Sequence, residues 1–148
     1  MLDYSQRNGL WARQTLGKSK LTMGRFGCVA TCIADLSTYF GGNFNPGDLA
    51  AVDIFTPEGL VIWAKCEFWH FHFQQRMYAR DDFLIKQAIL DPNLAVILNV
   101  AYGSHWVVAT GLKSLAGVYA ISDPWFGDRV DMRRYEDEIN GFAVFRRK

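Results

Sequence analysis

Four short runs in the second half of the chain, AVILNV (95–100), HWVVATGL (105–112), VYAISD (118–123) and FAVFR (142–146), are rich in β-branched and aromatic residues. Clusters of Gly, Asn and Ser separate them, and they read as antiparallel strands. Pro92 marks a change of character, because before it the apolar residues fall at helical spacing. In CVATCIADLSTYF, Val29, Ile33, Leu36 and Phe40 lie on one face and the pattern stops at Gly41-Gly42. This predicts a buried helix over 28–40 with Cys28 in its first turn. Pro46-Gly47-Asp48 and Thr56-Pro57-Glu58 read as helix starts, since proline suits a first turn, and predict short helices over 46–54 and 57–66. Asp81-Asp82 read as capping acids that open an amphipathic helix through Leu90, ended by Asp91-Pro92. Residues 1–27, with glycines at 9, 17, 24 and 27, read as irregular. Helices followed by a strand meander indicate an α+β domain with the helices on one side of the sheet.

The 148 residues suit a single domain, 1–148, and half of them are hydrophobic, enough to offset the entropy of ordering the chain. A net charge of +1 supplies no general attraction for nucleic acid or an anionic membrane. Arg146-Arg147-Lys148 read as a solvated tail. No apolar stretch approaches the roughly 20 residues that span a bilayer, and the N-terminus lacks a basic region followed by an apolar run. No membrane insertion and no signal peptide are therefore expected. Three cysteines do not suggest a disulfide framework, and free thiols in a reducing compartment fit better.

Cys28 is the first candidate for chemistry. The unpaired N–H groups and dipole at a helix N-terminus favour a thiolate, the form that attacks a carbonyl carbon. Gly27 before it lets the chain turn sharply into the helix. His105, at the mouth of an otherwise apolar strand, is placed as a base. Asp123 ends the next strand, and a hairpin of 105–112 with 118–123 brings it beside His105, where a carboxylate orients the ring and stabilises imidazolium. A side-chain amide from Gln6 or Gln14 would stabilise an oxyanion together with the Cys28 N–H, and spacing does not choose between the two. Each residue also has a plainer role: Cys28 as a small buried hydrophobe, His105 as a satisfied strand-end histidine, Asp123-Pro124 as a turn starter.

Taken in order, Gln6 followed by Trp11, Leu16-Gly17-Lys18-Ser19, Gly27-Cys28 opening a helix, His105-Trp106-Val107-Val108-Ala109-Thr110-Gly111, Asp123-Pro124 and Gly141-Phe142-Ala143-Val144 form a pattern. It resembles papain-fold cysteine peptidases related to the bacteriocin-processing peptidases that cut double-glycine leaders, across nearly the whole chain. The resemblance implies a papain-like fold, an N-terminal helical half packed on a C-terminal antiparallel sheet, and a catalytic set of Cys28, His105, Asp123 and Gln6, with Gln6 preferred over Gln14. It also implies hydrolysis of peptide bonds without a cofactor or metal. The sequence departs from leader-cutting members in reading Gly27-Cys28-Val29 where they tend to have Asp-Cys-Gly, and it lacks transporter segments. The substrate expected is a peptide or protein, a peptidoglycan stem peptide among the options, in a cytoplasmic or virion-associated setting. The other class of function is a papain-like binding or structural module of a phage or bacterial assembly that has lost turnover.

Other readings compete for the same residues. Cys28 and Cys32, four apart on a helix, would with His105 or His70 make a zinc site. Cys32 is otherwise core, and Cys66 shows no ligand-like partner. His70 and His72 alternate with aromatics in FWHFHF (68–73), as on a strand with one polar face. Trp125-Phe126-Gly127, directly after Asp123-Pro124, are placed to rim a cleft.

Overall fold

The computed structural model describes residues 1–113 and 117–148, with Lys113 as backbone alone. The nucleophile-candidate helix forms as its periodicity requires. A four-residue helix α1 (Met23–Phe26) leads through Gly27 into α2 (Cys28–Tyr39), which Gly41 at φ +91 closes. Helix α2 is buried on nearly all sides, from Cys28 through Ser37. It is the element around which one core is built. The rest of 1–27 is irregular, tied by a bridge between Thr15 and Thr22.

Helix α3 (Pro46–Ala51) begins where expected, with a reciprocal capping box between Asn45 and Asp48. It ends before 54, because Val52 is extended and Ile54 accepts a hydrogen bond from Ile62 N. The expected helix over 57–66 does not form. Thr56 N donates to Leu60 O and Gly59 N to Thr56 O, closing a turn with Gly59 at φ +85, and Phe55 bridges Val61. Proline suits the second position of a turn as well as the first of a helix, Gly59 permits the turn, and the Phe55–Val61 bridge decides for it. Only a 3₁₀ turn at Trp63–Lys65 remains.

Six strands among the described residues make one antiparallel sheet: β1 (Phe71–Met77), β2 (Leu94–Val100), β3 (His105–Lys113), β4 (Val118–Asp123), β5 (Asp128–Asp131) and β6 (Gly141–Arg147). Their order is β1-β6-β2-β3-β4-β5. Two features depart from expectation. Strand β5 is additional, folding back on β4 through a turn at Gly127. The basic end of the chain is not a free tail, because β6 runs through Arg147, although its last side chains are exposed. The aromatic run 68–73 supplies the start of β1.

The helices do not share one side of the sheet. α2, with α3 packed against it, covers Ala95, Ile97, Trp106, Val108, Ala143 and Phe145. Helix α4 (Asp82–Leu90), N-capped by Asp81, sets Ile85 and Ala88 against Leu94, Val96, Leu98, Val107, Phe142 and Val144 on the opposite face. Every residue of β2 is consequently buried. That is why its run is continuously apolar rather than alternating: a strand covered on both faces has no solvent side to mark with polar residues.

Candidate active site

Cys28 reaches its position through a steric constraint at Gly27. A Cβ there would lie 2.0 Å from Met23 Sδ and 2.5 Å from Met23 O, so only glycine lets α1 run this closely into α2. Gly27 caps α2 without a side chain, and the first-turn N–H groups of α2 have no intrahelical partner. Cys28 stands among them, 9% exposed.

His105 is placed by the loop before it. Ala101, Tyr102 and Gly103 all have positive φ, a left-handed run costly for the two residues that carry a Cβ. The loop is pinned from below: Asn99 Nδ2 donates to Gly103 O at 3.2 Å and to His105 O at 3.1 Å, and Gly103 N donates to Asn140 Oδ1 at 3.1 Å. Asp123 lies one residue past the Val108–Ser122 pair of the β3–β4 ladder and is fully buried. His105 Nε2 bonds Asp123 Oδ1 at 2.8 Å, which assigns the N–H to Nε2 and leaves Nδ1 for the imidazole's second polar partner, Cys28.

Asp123 accepts from three more donors: Trp125 N at 3.0 Å, Arg134 Nη1 at 2.9 Å and the Tyr135 hydroxyl. Burial works to raise its pKa, but the bonds from His105, Tyr135 and Arg134 prevail and hold it down at about 2. His105 moves the other way. Burial lowers its pKa, while the bonds to Asp123 and Cys28 and their charges overcome this and lift it to about 9. The imidazole can thus keep its proton at neutral pH beside a sulfur at a helix N-terminus. Arg134 and Tyr135 were not singled out from the sequence. They come from the 3₁₀ turn Met132–Tyr135 after the unexpected β5, and Arg134 also grips Asp128 through two 2.8 Å bonds. The MRRY run carries no spacing signal that relates it to Asp123.

The two glutamines separate cleanly. Gln6 is 1% exposed, its N donates to Pro124 O at 2.8 Å, and its Nε2 gives one N–H to Gly24 O at 3.2 Å. Trp11 Nε1 braces the same segment by donating to Ser5 O at 2.8 Å. Gln14 is exposed and packs towards Gly47 on α3. Gln6, Cys28 and His105 line one cleft of about 320 Å³, with Arg25 and Phe26 of α1 and with Ser104, Trp125 and Tyr135 completing it. Of the expected aromatic rim, Trp125 lines the cleft, while Phe126 is half exposed and carries the Arg134 guanidinium 4.4 Å from its ring centre.

The remaining candidates lie elsewhere. His70 Nε2 and Ser37 Oγ are 2.9 Å apart in the core. Cys32 and Cys66 are fully buried, and burial raises both thiols, Cys66 to about 12. Among the described residues no group of three or more His, Cys, Asp or Glu side chains could hold a metal ion. Nor is any helix among them long and apolar enough to cross a membrane. Comparison of the chain with protein-family models, with curated proteins and with solved structures gives no match.

Proposed function

We propose that the protein is a papain-like cysteine hydrolase that cleaves peptide or amide bonds, with Cys28 as nucleophile, His105 as general acid and base, Asp123 as the residue that orients His105, and Gln6 as an oxyanion donor. One observation carries this reading: the His105–Asp123 bond of 2.8 Å, with its carboxylate fully buried, opens on the same cleft as Cys28 and Gln6. The arrangement of a nucleophile helix against an antiparallel sheet that presents His and Asp from neighbouring strands supports the papain-like architecture.

In this mechanism the Cys28 thiolate attacks the substrate carbonyl carbon, and negative charge develops on the carbonyl oxygen. The Cys28 N–H and the second N–H of the Gln6 amide, the one not given to Gly24 O, are the donors for that oxygen. Collapse of the tetrahedral species breaks the C–N bond as His105 gives its proton to the leaving amine, producing a thioester on Cys28. Water then attacks the thioester, His105 takes the water's proton, and the carboxylic acid leaves as the thiolate reforms. Asp123 remains ionised throughout and holds the ring in the tautomer that these transfers require.

The test is cleavage of a mixed peptide library, including peptidoglycan stem peptides, by the protein and by Cys28→Ser and His105→Ala. Defined products from the native protein alone support the reading. No product from any protein, with Cys28 still open to alkylation, would turn it into a papain-like binding module.

A further inference from the structure

We infer that the cleft selects substrates carrying a carboxylate next to the scissile bond, an acidic residue or a free carboxyl end, held by Arg25; this deepens the hydrolase reading and rests on it. The inference starts from the charges around the nucleophile. Arg25, two residues from the Gly27-Cys28 junction, is exposed on the α1 wall of the cleft, stacked 5.5 Å over the ring of Phe26. Among the described residues no carboxylate pairs with it. Arg7 lies nearby, its guanidinium 4.6 Å from the ring centre of Trp125, spending Nε on Trp125 O and likewise lacking an acidic partner among the described residues.

The acids that would cancel these charges are engaged elsewhere. Asp123 and Asp128 are taken by Arg134, and Asp3 by Arg129. Glu136 and Glu138 line a separate hollow, which meets the catalytic cleft only at Tyr135. The wall next to Cys28 therefore presents uncompensated positive charge and flat aromatic surface. A guanidinium offers two parallel N–H donors to a carboxylate, a geometry that an amide or an ammonium group does not match.

The test compares alkylation of Cys28 by iodoacetate, an anion, and by iodoacetamide, its neutral analogue, with the adduct mapped by mass spectrometry. The iodoacetate-to-iodoacetamide rate ratio should fall about tenfold in Arg25→Gln, recover only in part in Arg25→Lys, which restores the charge but not the paired donors, and shrink in the native protein as salt is added. Attraction of the anion to His105 is common to all these proteins and cancels in the comparison. Paired peptides with Glu or Gln on either side of the cleaved bond should show the same preference in kcat/KM, lost in Arg25→Gln. An unchanged ratio in Arg25→Gln, with Cys28 alkylated readily, overturns the carboxylate preference and leaves the hydrolase reading standing. A Cys28 that resists both reagents in the folded protein overturns both.

Discussion

Replacing Asp123 by Asn removes the charge that keeps a proton on His105 while preserving the size of the side chain. In the native protein the imidazole is lifted from 6.5 to about 9, against the opposing effect of burial. At 1.36 kcal/mol per pH unit this is about 3 kcal/mol of preference for imidazolium, shared between Asp123 and Cys28. In Asp123→Asn burial persists and one of the two partners is gone, so the ring should lose its proton about 1–2 pH units lower. Two-dimensional ¹⁵N–¹H spectra resolve the three imidazoles across pH 5–10, and a His105→Gln variant assigns the signal. His70, whose pKa burial lowers, serves as an internal contrast. The alkaline limb of turnover should move down by the same amount, since His105 must be protonated to release the amine. A native His105 that titrates near 6.5, or an identical midpoint in Asp123→Asn, would refute the claim that this carboxylate holds the imidazolium.

Limiting iodoacetamide at about pH 6 should label Cys28, which lines the open cleft with His105 at the N-terminus of α2, whereas burial raises the Cys32 and Cys66 thiols and keeps them protonated. Peptide mapping checks this, and His105→Ala should lose most of the Cys28 rate. Gln6→Ala should reduce turnover by about 10²–10³ with little change in substrate binding, read from single-turnover and steady-state kinetics on the best library peptide. Gly27→Ala drives a Cβ into Met23, including its carbonyl oxygen, and should cost about 1–3 kcal/mol, measured as a Tm lowered by several degrees. The His105–Asp123 pair should contribute most to stability between about pH 4 and 6.5. The raised His105 contributes fully below 6.5 and loses its contribution as pH climbs through 9, while the depressed Asp123 contributes above 3.8 and loses it towards pH 2. Denaturant midpoints across this range test both limbs.

Much of the local structure was legible because it follows from short-range chemistry. The period of Val29, Ile33 and Leu36 with the Gly41-Gly42 stop gave α2 almost to the residue, and Asp81 and Asp91-Pro92 bounded α4. The β-rich runs after Pro92 marked the strands and put His105 at a strand mouth and Asp123 at a strand end. What stayed out of reach depends on which distant segments meet. The Thr56-Pro57-Glu58-Gly59 segment fits a helix start or a turn equally well until Phe55 finds Val61. A continuous apolar strand such as β2 announces burial, not which helix lies on which face, so α4 crossing to the opposite side was invisible. Gln6 and Gln14 are the same amide eight residues apart, and only folding buries one in the cleft and leaves the other in solvent. Arg134 and Tyr135 likewise reach Asp123 through β5, a strand too short to leave a periodic mark. Local propensity is written residue by residue along the chain, whereas a cleft and its electrostatics arise from long-range closures whose partners no neighbouring residue encodes.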